Sequence, residues 1–182
     1  MKPNEFINKL KKLKSEIDNF VINDAPIIVG KNAVDYFKDN FRKGSFDGKA
    51  WKAPQRYNEN GNASQKYGPL LSATDELMKS ITFTTQPGKA IISTDKVYAR
   101  IHNEGGTITV PITDKMRKFA WAKHYEETKQ TKSKDSKWKG IALTQKESLK
   151  INMPQRQFIG ITTELTDILE KKLSEHLTKI IK

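Results

Sequence analysis

The chain has 182 residues, enough for one domain with a real core, yet only 36% of them are hydrophobic and the mean hydropathy is −0.70. No apolar run reaches the roughly 18 residues of a membrane-spanning helix, and Met1-Lys2-Pro3-Asn4-Glu5 lacks the apolar centre of a signal peptide. Zero cysteines exclude disulfides and thiolate metal sites and fit a reducing cytoplasm.

The formal charge of +12 is concentrated: nine Lys or Arg and three acids lie between Lys115 and Lys139, half of the excess in one segment. Such a patch favours an anionic partner, DNA or an acidic protein surface.

Phe6, Leu10, Leu13, Ile17 and Phe20 are spaced 4, 3, 4, 3, which predicts an amphipathic helix with its apolar stripe packed into the core. A second helix is expected from Asp24-Ala25-Pro26, where proline suits a first turn. Ile27, Gly30, Val34, Phe37 and Phe41 keep its period and Gly44 ends it. Two helices joined by a short loop should form an antiparallel pair. Residues 44–69 show no periodicity and read as a long irregular loop, anchored by Trp51 and Tyr57 either to the body or against a neighbouring subunit.

Ser72 to Ser80 reads as a short helix, and Ser72-x-x-Asp75 is a weak capping box. Strands are expected at 81–85 and 90–94 around Pro87-Gly88, and at 107–110. Thr113-Asp114 begins a helix with Met116, Phe119 and Ala120 inward. It is expected to dissolve into a basic flexible insertion over 126–139. Ile141–Leu143 and Leu149–Met153 are candidate strands, and Leu165, Ile168, Leu169, Leu173, Leu177 and Ile180 mark a long closing helix. The expectation is a single α+β domain over 1–182. It would hold a small, mainly antiparallel sheet of about four to five strands, packed with an N-terminal helix pair and a long C-terminal helix.

The centre of the pattern is Tyr98-Ala99-Arg100-Ile101-His102-Asn103-Glu104-Gly105-Gly106. Tyr98, Ile101 and His102 fall on one side of a helical turn, and the glycine pair allows positive φ, so the turn can stop abruptly and hand over to a strand. Later comes the extended run Pro154-Gln155-Arg156-Gln157-Phe158-Ile159-Gly160, in which Pro154, Arg156 and Phe158 share a face.

This Tyr-Ala-x-x-His-x-x-Gly corner resembles the phage virion-morphogenesis family, the tail-completion and head–tail joining proteins of tailed phages. Asp47-Gly48-x-x-Trp51, Leu71-x-x-Thr74-x-x-Leu77-x-x-Ser80-Ile81 and Pro154-x-Arg156-x-Phe158-Ile159-Gly160 extend the resemblance. Thr113-x-x-Met116-Arg117-Lys118-Phe119-x-Trp121-Ala122 is similar to the longer members. The matches run from about Phe37 to Gly160. Asp75 departs from the family pattern, which usually has glycine there.

Residues for chemistry are sparse. His102, His124 and His176 stand alone, with no His-x-x-x-His or His-Glu-x-x-His spacing to start a metal site. Gly105-Gly106 is not a phosphate cradle, and Gly-x-Ser-x-Gly is missing. No cofactor and no catalytic residue is therefore assigned, and His102 is expected to be structural, its imidazole bonding a backbone carbonyl near the glycines. Arg156 is expected to be paired, either inside the fold with Glu104 as one candidate or across a subunit boundary. Lys123, Lys129, Lys132, Lys134, Lys137 and Lys139, interleaved with Trp121 and Trp138, are candidate contacts to DNA or an acidic partner. The aromatics are also candidate interface residues.

The resemblance implies a non-enzymatic virion protein at the neck or tail end, assembled in the host cytoplasm. It would act as a homo-oligomeric ring, six-fold by expectation, around the DNA channel. Its partners would be copies of itself, tail-tube and head–tail connector proteins, and packaged DNA through non-specific contact, with no membrane. The alternative from composition is a small non-specific nucleic-acid-binding protein using residues 115–139.

Overall fold

The computed structural model describes residues 3–52, 74–131 and 136–181. The chain divides into two compact units, one formed by residues 1–104 and 155–182 and the other by 105–154.

The first unit is built on a long helical rod. Helix α1 (Pro3–Asn19) runs through a π-helical turn (Phe20–Asp24) into α2 (Ala25–Lys43). The expected antiparallel helix pair is therefore wrong. Asn19, Asp24 and Ala25 all keep right-handed helical dihedrals, so the chain never reverses. Pro26 is accommodated by the turn. It has no N–H for the carbonyl of Ile22, and that carbonyl instead accepts the N–H of Gly88 at 2.9 Å. The missing donor thus becomes an anchor for a hairpin. Gly44, at φ 62°, stops α2 with its N–H on the carbonyls of Asn40 and Phe41.

A minimal hairpin, β1 (Ser45–Phe46) with β2 (Lys49–Ala50), follows. The rest of the expected 44–69 loop from residue 53 onward, with Tyr57, lies outside the described residues, as does Ser72. Helix α3 (Glu76–Ser80) begins after Asp75, whose φ of 55° is left-handed. Glycine is at home in that conformation and aspartate is tolerated, which gives a physical reason for the departure seen in the sequence. Strands β3 (Thr82–Gln86) and β4 (Lys89–Ser93) pair antiparallel and pack on α2, with the Phe83 ring lying over Gly30. The short helix α4 (Ala99–Glu104) ends at the glycine pair.

Helix α7 (Thr163–Ile181) closes this unit. Thr162 caps it, its Oγ1 accepting the N–H of Leu165 at 3.1 Å. It runs antiparallel to the rod: Glu164 lies 3.8 Å from Lys43, and His176 stacks on Phe20 at 6.3 Å. The core is Ala33, Val34, Tyr36, Phe37 and Phe41 of α2 with Leu77, Ile81, Ala99, Phe158 and Leu165. Ile81 and Phe158, the largest fully buried side chains, each stabilise by roughly 1.5–3 kcal/mol. Of the stripe predicted for the first helix only Phe20, which falls in the π turn, is buried, so the expected core packing of that stripe does not occur along α1.

The second unit holds strands β5 (Gly106–Pro111) and β6 (Ser148–Met153), paired antiparallel, and helices α5 (Asp114–Thr131) and α6 (Lys137–Leu143), packed on each other. Residues 126–131 of the expected insertion continue α5, and 137–139 open α6. Thr128 Oγ1 on the His124 carbonyl and Lys123 on Glu126 at 2.6 Å support the extra turn. Residues 132–135 are not described. The inward residues of α5 are Ala120 and His124, four apart, whereas Phe119 is half-exposed against Trp138. Ile141–Leu143 is helical, because the run continues the turn begun at Lys137.

The class is α+β, with the long C-terminal helix as expected. Among the described residues the strands, however, form three two-stranded ribbons and not one sheet of four to five strands. Each ribbon is a local hairpin or a single pairing, and alternating sequence patterns do not say which pairs will join edge to edge.

Candidate functional site

The Tyr98–Glu104 part of the corner and the Arg156–Gly160 strap meet in the first unit, and the glycine pair opens the second. Gly105 and Gly106 have φ values of 74° and 137°, conformations that residues with a Cβ rarely adopt. Just before them, Asn103 turns its side chain to the strap, and its Oδ1 accepts the N–H groups of both Phe158 and Ile159 at 3.0 Å. The Arg156 N–H donates to the His102 carbonyl at 2.8 Å. From α2, Asn40 Nδ2 donates to the Phe158 carbonyl at 3.1 Å, and Trp51 Nε1 donates to the Gln157 carbonyl at 2.8 Å. Backbone groups of this extended segment are thus satisfied by three side chains and one carbonyl from separate parts of the chain.

Arg156 is buried, only 5% exposed, and its Nε donates to the Lys52 carbonyl at 3.1 Å. Glu104, the carboxylate considered for it, pairs with Arg100 at 2.9 Å. Phe158 fills the core against Phe41, and Trp51 meets Phe41 edge-on at 5.4 Å. Trp51 is therefore tied to its own chain. Gly160 is close-packed: a Cβ there would stand 2.9 Å from the Phe46 ring.

Tyr98 meets His102 edge-on at 6.0 Å, and Ala99 is buried beside them. The expected bond from the His102 imidazole to a carbonyl is not made by Nδ1, which is buried without a partner among the described residues. Burial, with the nearby Arg156 guanidinium adding to it, holds the His102 pKa below its usual value, so the ring is kept neutral. Among the described residues no three His, Asp or Glu side chains converge as metal ligands.

In the second unit, Trp121 stacks on Tyr125 at 5.7 Å and also contacts His124, whose Nδ1 lies 2.9 Å from Ser136 Oγ. Trp138 meets Phe119 edge-on at 5.8 Å. Lys123 and Lys139 are half-buried, Lys129 is exposed, and Lys132 and Lys134 lie outside the described residues; Pro154, where this unit ends, is half-buried.

The geometry at the corner is that of a locked structural joint whose parts come from the corner, the strap and the Trp51 loop. The model of the phage virion morphogenesis family matches residues 25–178. The chain belongs to that family. The match takes in α2 through most of α7 and includes every part of the joint, while α1 precedes it. No curated protein and no solved structure matches the chain. Membership gives the protein a structural role in the phage virion. Among the described residues no helix is long and apolar enough to cross a membrane. Sequence reasoning found the two halves of the joint but missed Asn40 and Asn103, which hold them together. The available signal for Asn40 was its place on the helical face of Tyr36 and Phe37, where a polar residue must be paired if buried; Asn103, between His102 and Glu104, carried none.

Proposed function

We propose that the protein is a ring subunit at the phage neck or tail end, completing the tail or joining it to the head around the DNA channel, without catalysing a reaction. The observation that carries this reading is the joint itself. The strap is fixed by Asn40, Trp51, Asn103 and the His102 carbonyl, yet the residues beside it face solvent: Val97 is 96% and Ile161 91% exposed. Val97 also lines a groove with Ala99, Asn103, Phe158 and Ile159. Fully exposed β-branched residues on a fixed frame suit contact with a neighbouring subunit, where their apolar area leaves water.

The basic second unit supplies the complementary part. Its exposed Tyr125, stacked on Trp121 among lysines, suits non-specific contact with phosphates and bases, which also supports the second reading as a nucleic-acid-binding protein. Native mass spectrometry and electron microscopy of the purified protein decide between them. Closed rings formed without DNA support the ring. A protein that stays monomeric in the absence and presence of tail proteins, and binds DNA with strong salt dependence, supports the second reading alone.

A further inference from the structure

Helix α1 has no buried residue, yet its apolar residues are regularly spaced. Phe6, Ile7 and Leu10 are 50%, 47% and 49% exposed. Helix α7 packs along the rod, His176 stacking on Phe20. Leu13 and Ile17 are half-buried, whereas the first turns of α1 keep their stripe uncovered.

Two observations say what covers the stripe. The first is charge. The chain carries +12, but α1 has four lysines against three acids and α7 three lysines against four, so these neighbouring helices together are neutral. This is where two otherwise repelling copies can approach. The second is pattern. With Leu10 and Ile17 as heptad a positions and Phe6 and Leu13 as d positions, Lys9 and Glu16 are both g and Lys14 is e. A parallel pair would place Lys9 against Lys14 of the other copy. An antiparallel pair places Lys9 against Glu16 twice, with Phe6 opposite Ile17 and Leu10 opposite Leu13. Glu16 already has Lys12 of its own helix at 3.7 Å, but both are solvent-exposed, so that pair yields little resistance to exchange.

We infer that α1 is a pairing helix for a second copy of this chain, the two packing antiparallel along Phe6, Leu10, Leu13 and Ile17 with reciprocal Lys9–Glu16 ion pairs. The contact is two-fold and self-complementary, so it doubles whatever else the protein forms: monomer to dimer, or one ring to two face to face.

The test is native mass of the full chain. Phe6→Glu with Leu10→Glu is expected to halve the native mass while the far-ultraviolet spectrum and melting temperature stay near wild type, because no core residue is touched. Lys9→Glu alone should weaken the doubling about tenfold, and Lys9→Glu with Glu16→Lys should restore it. Since the chain has no cysteine, Lys9→Cys with Glu16→Cys should give a cross-linked dimer on oxidation. An unchanged mass in the Phe6/Leu10 variant, no restoration by the charge swap, or no cross-link would overturn the pairing. Failure of the ring reading looks different: a wild-type dimer that halves to a monomer keeps this inference and removes the ring.

Discussion

At the residue scale the joint depends on two neighbours with opposite duties. His102 is held neutral beside Arg156, its pKa lowered by burial first and by the guanidinium second. The folded state therefore binds this proton less readily than the unfolded chain, whose histidine titrates near 6.5. The stability His102 contributes is fully present above that value and is lost as pH falls through it and through the lowered folded value. Wild type should lose more thermal stability between pH of about 7.5 and about 5.5 than His102→Gln does, read by melting curves at both pH values. A variant as pH-sensitive as wild type would assign the titration elsewhere. Asn103 works through its carbonyl oxygen, which satisfies two backbone N–H groups. Asn103→Ala leaves both without that acceptor and should cost about 1–3 kcal/mol in a urea denaturation curve.

At the scale of elements, the rod and the hairpin on it explain most of the difference between expectation and structure. Proline at position 26 marks a helix start in sequence, but a π turn lets the rod pass through it and gives the spare Ile22 carbonyl to Gly88. The β3–β4 hairpin is then pressed onto α2 so closely that a Cβ on Gly30 would stand 2.2 Å from the Phe83 ring. Gly30→Ala should therefore destabilise the fold by about 1–3 kcal/mol despite alanine's higher helix propensity. A truncation of the ring, Phe83→Leu, should recover part of that loss in the double variant, measured by the same denaturation. Additive losses would mean that the helix and hairpin do not meet there.

At the scale of the molecule, the second unit leaves the first after Glu104 and returns at Gln155, and the hydrogen bond from Arg156 to His102 shows that its two ends are neighbours. Replacing residues 105–154 by a short Gly-Ser linker should leave the first unit folded, with cooperative melting and Trp51, half-buried against the core, as accessible to fluorescence quenchers as in the full chain. The excision removes eleven of the 33 basic residues and five of the 21 acidic ones, half the net charge of +12. DNA affinity in a salt titration should accordingly fall, with a shallower slope. An unchanged slope would place the DNA contacts in the first unit.

Periodicity and punctuation were enough to locate α2, its end at Gly44, the β3–β4 pair, the turn at Gly105-Gly106 and α7, because helical spacing, alternation and positive φ are local demands. The corner and the strap were legible for the same reason: each is a short run with its own residue signature. Local signals did not decide that the N-terminal helices form one rod, that the strands stay in separate pairs, or that Asn40 and Asn103 join segments more than fifty residues apart in the chain. Those outcomes depend on which surfaces and unpaired backbone groups meet once the chain is compact. The same is true of α1, whose stripe reads as core in sequence and is left bare along its first turns in the fold.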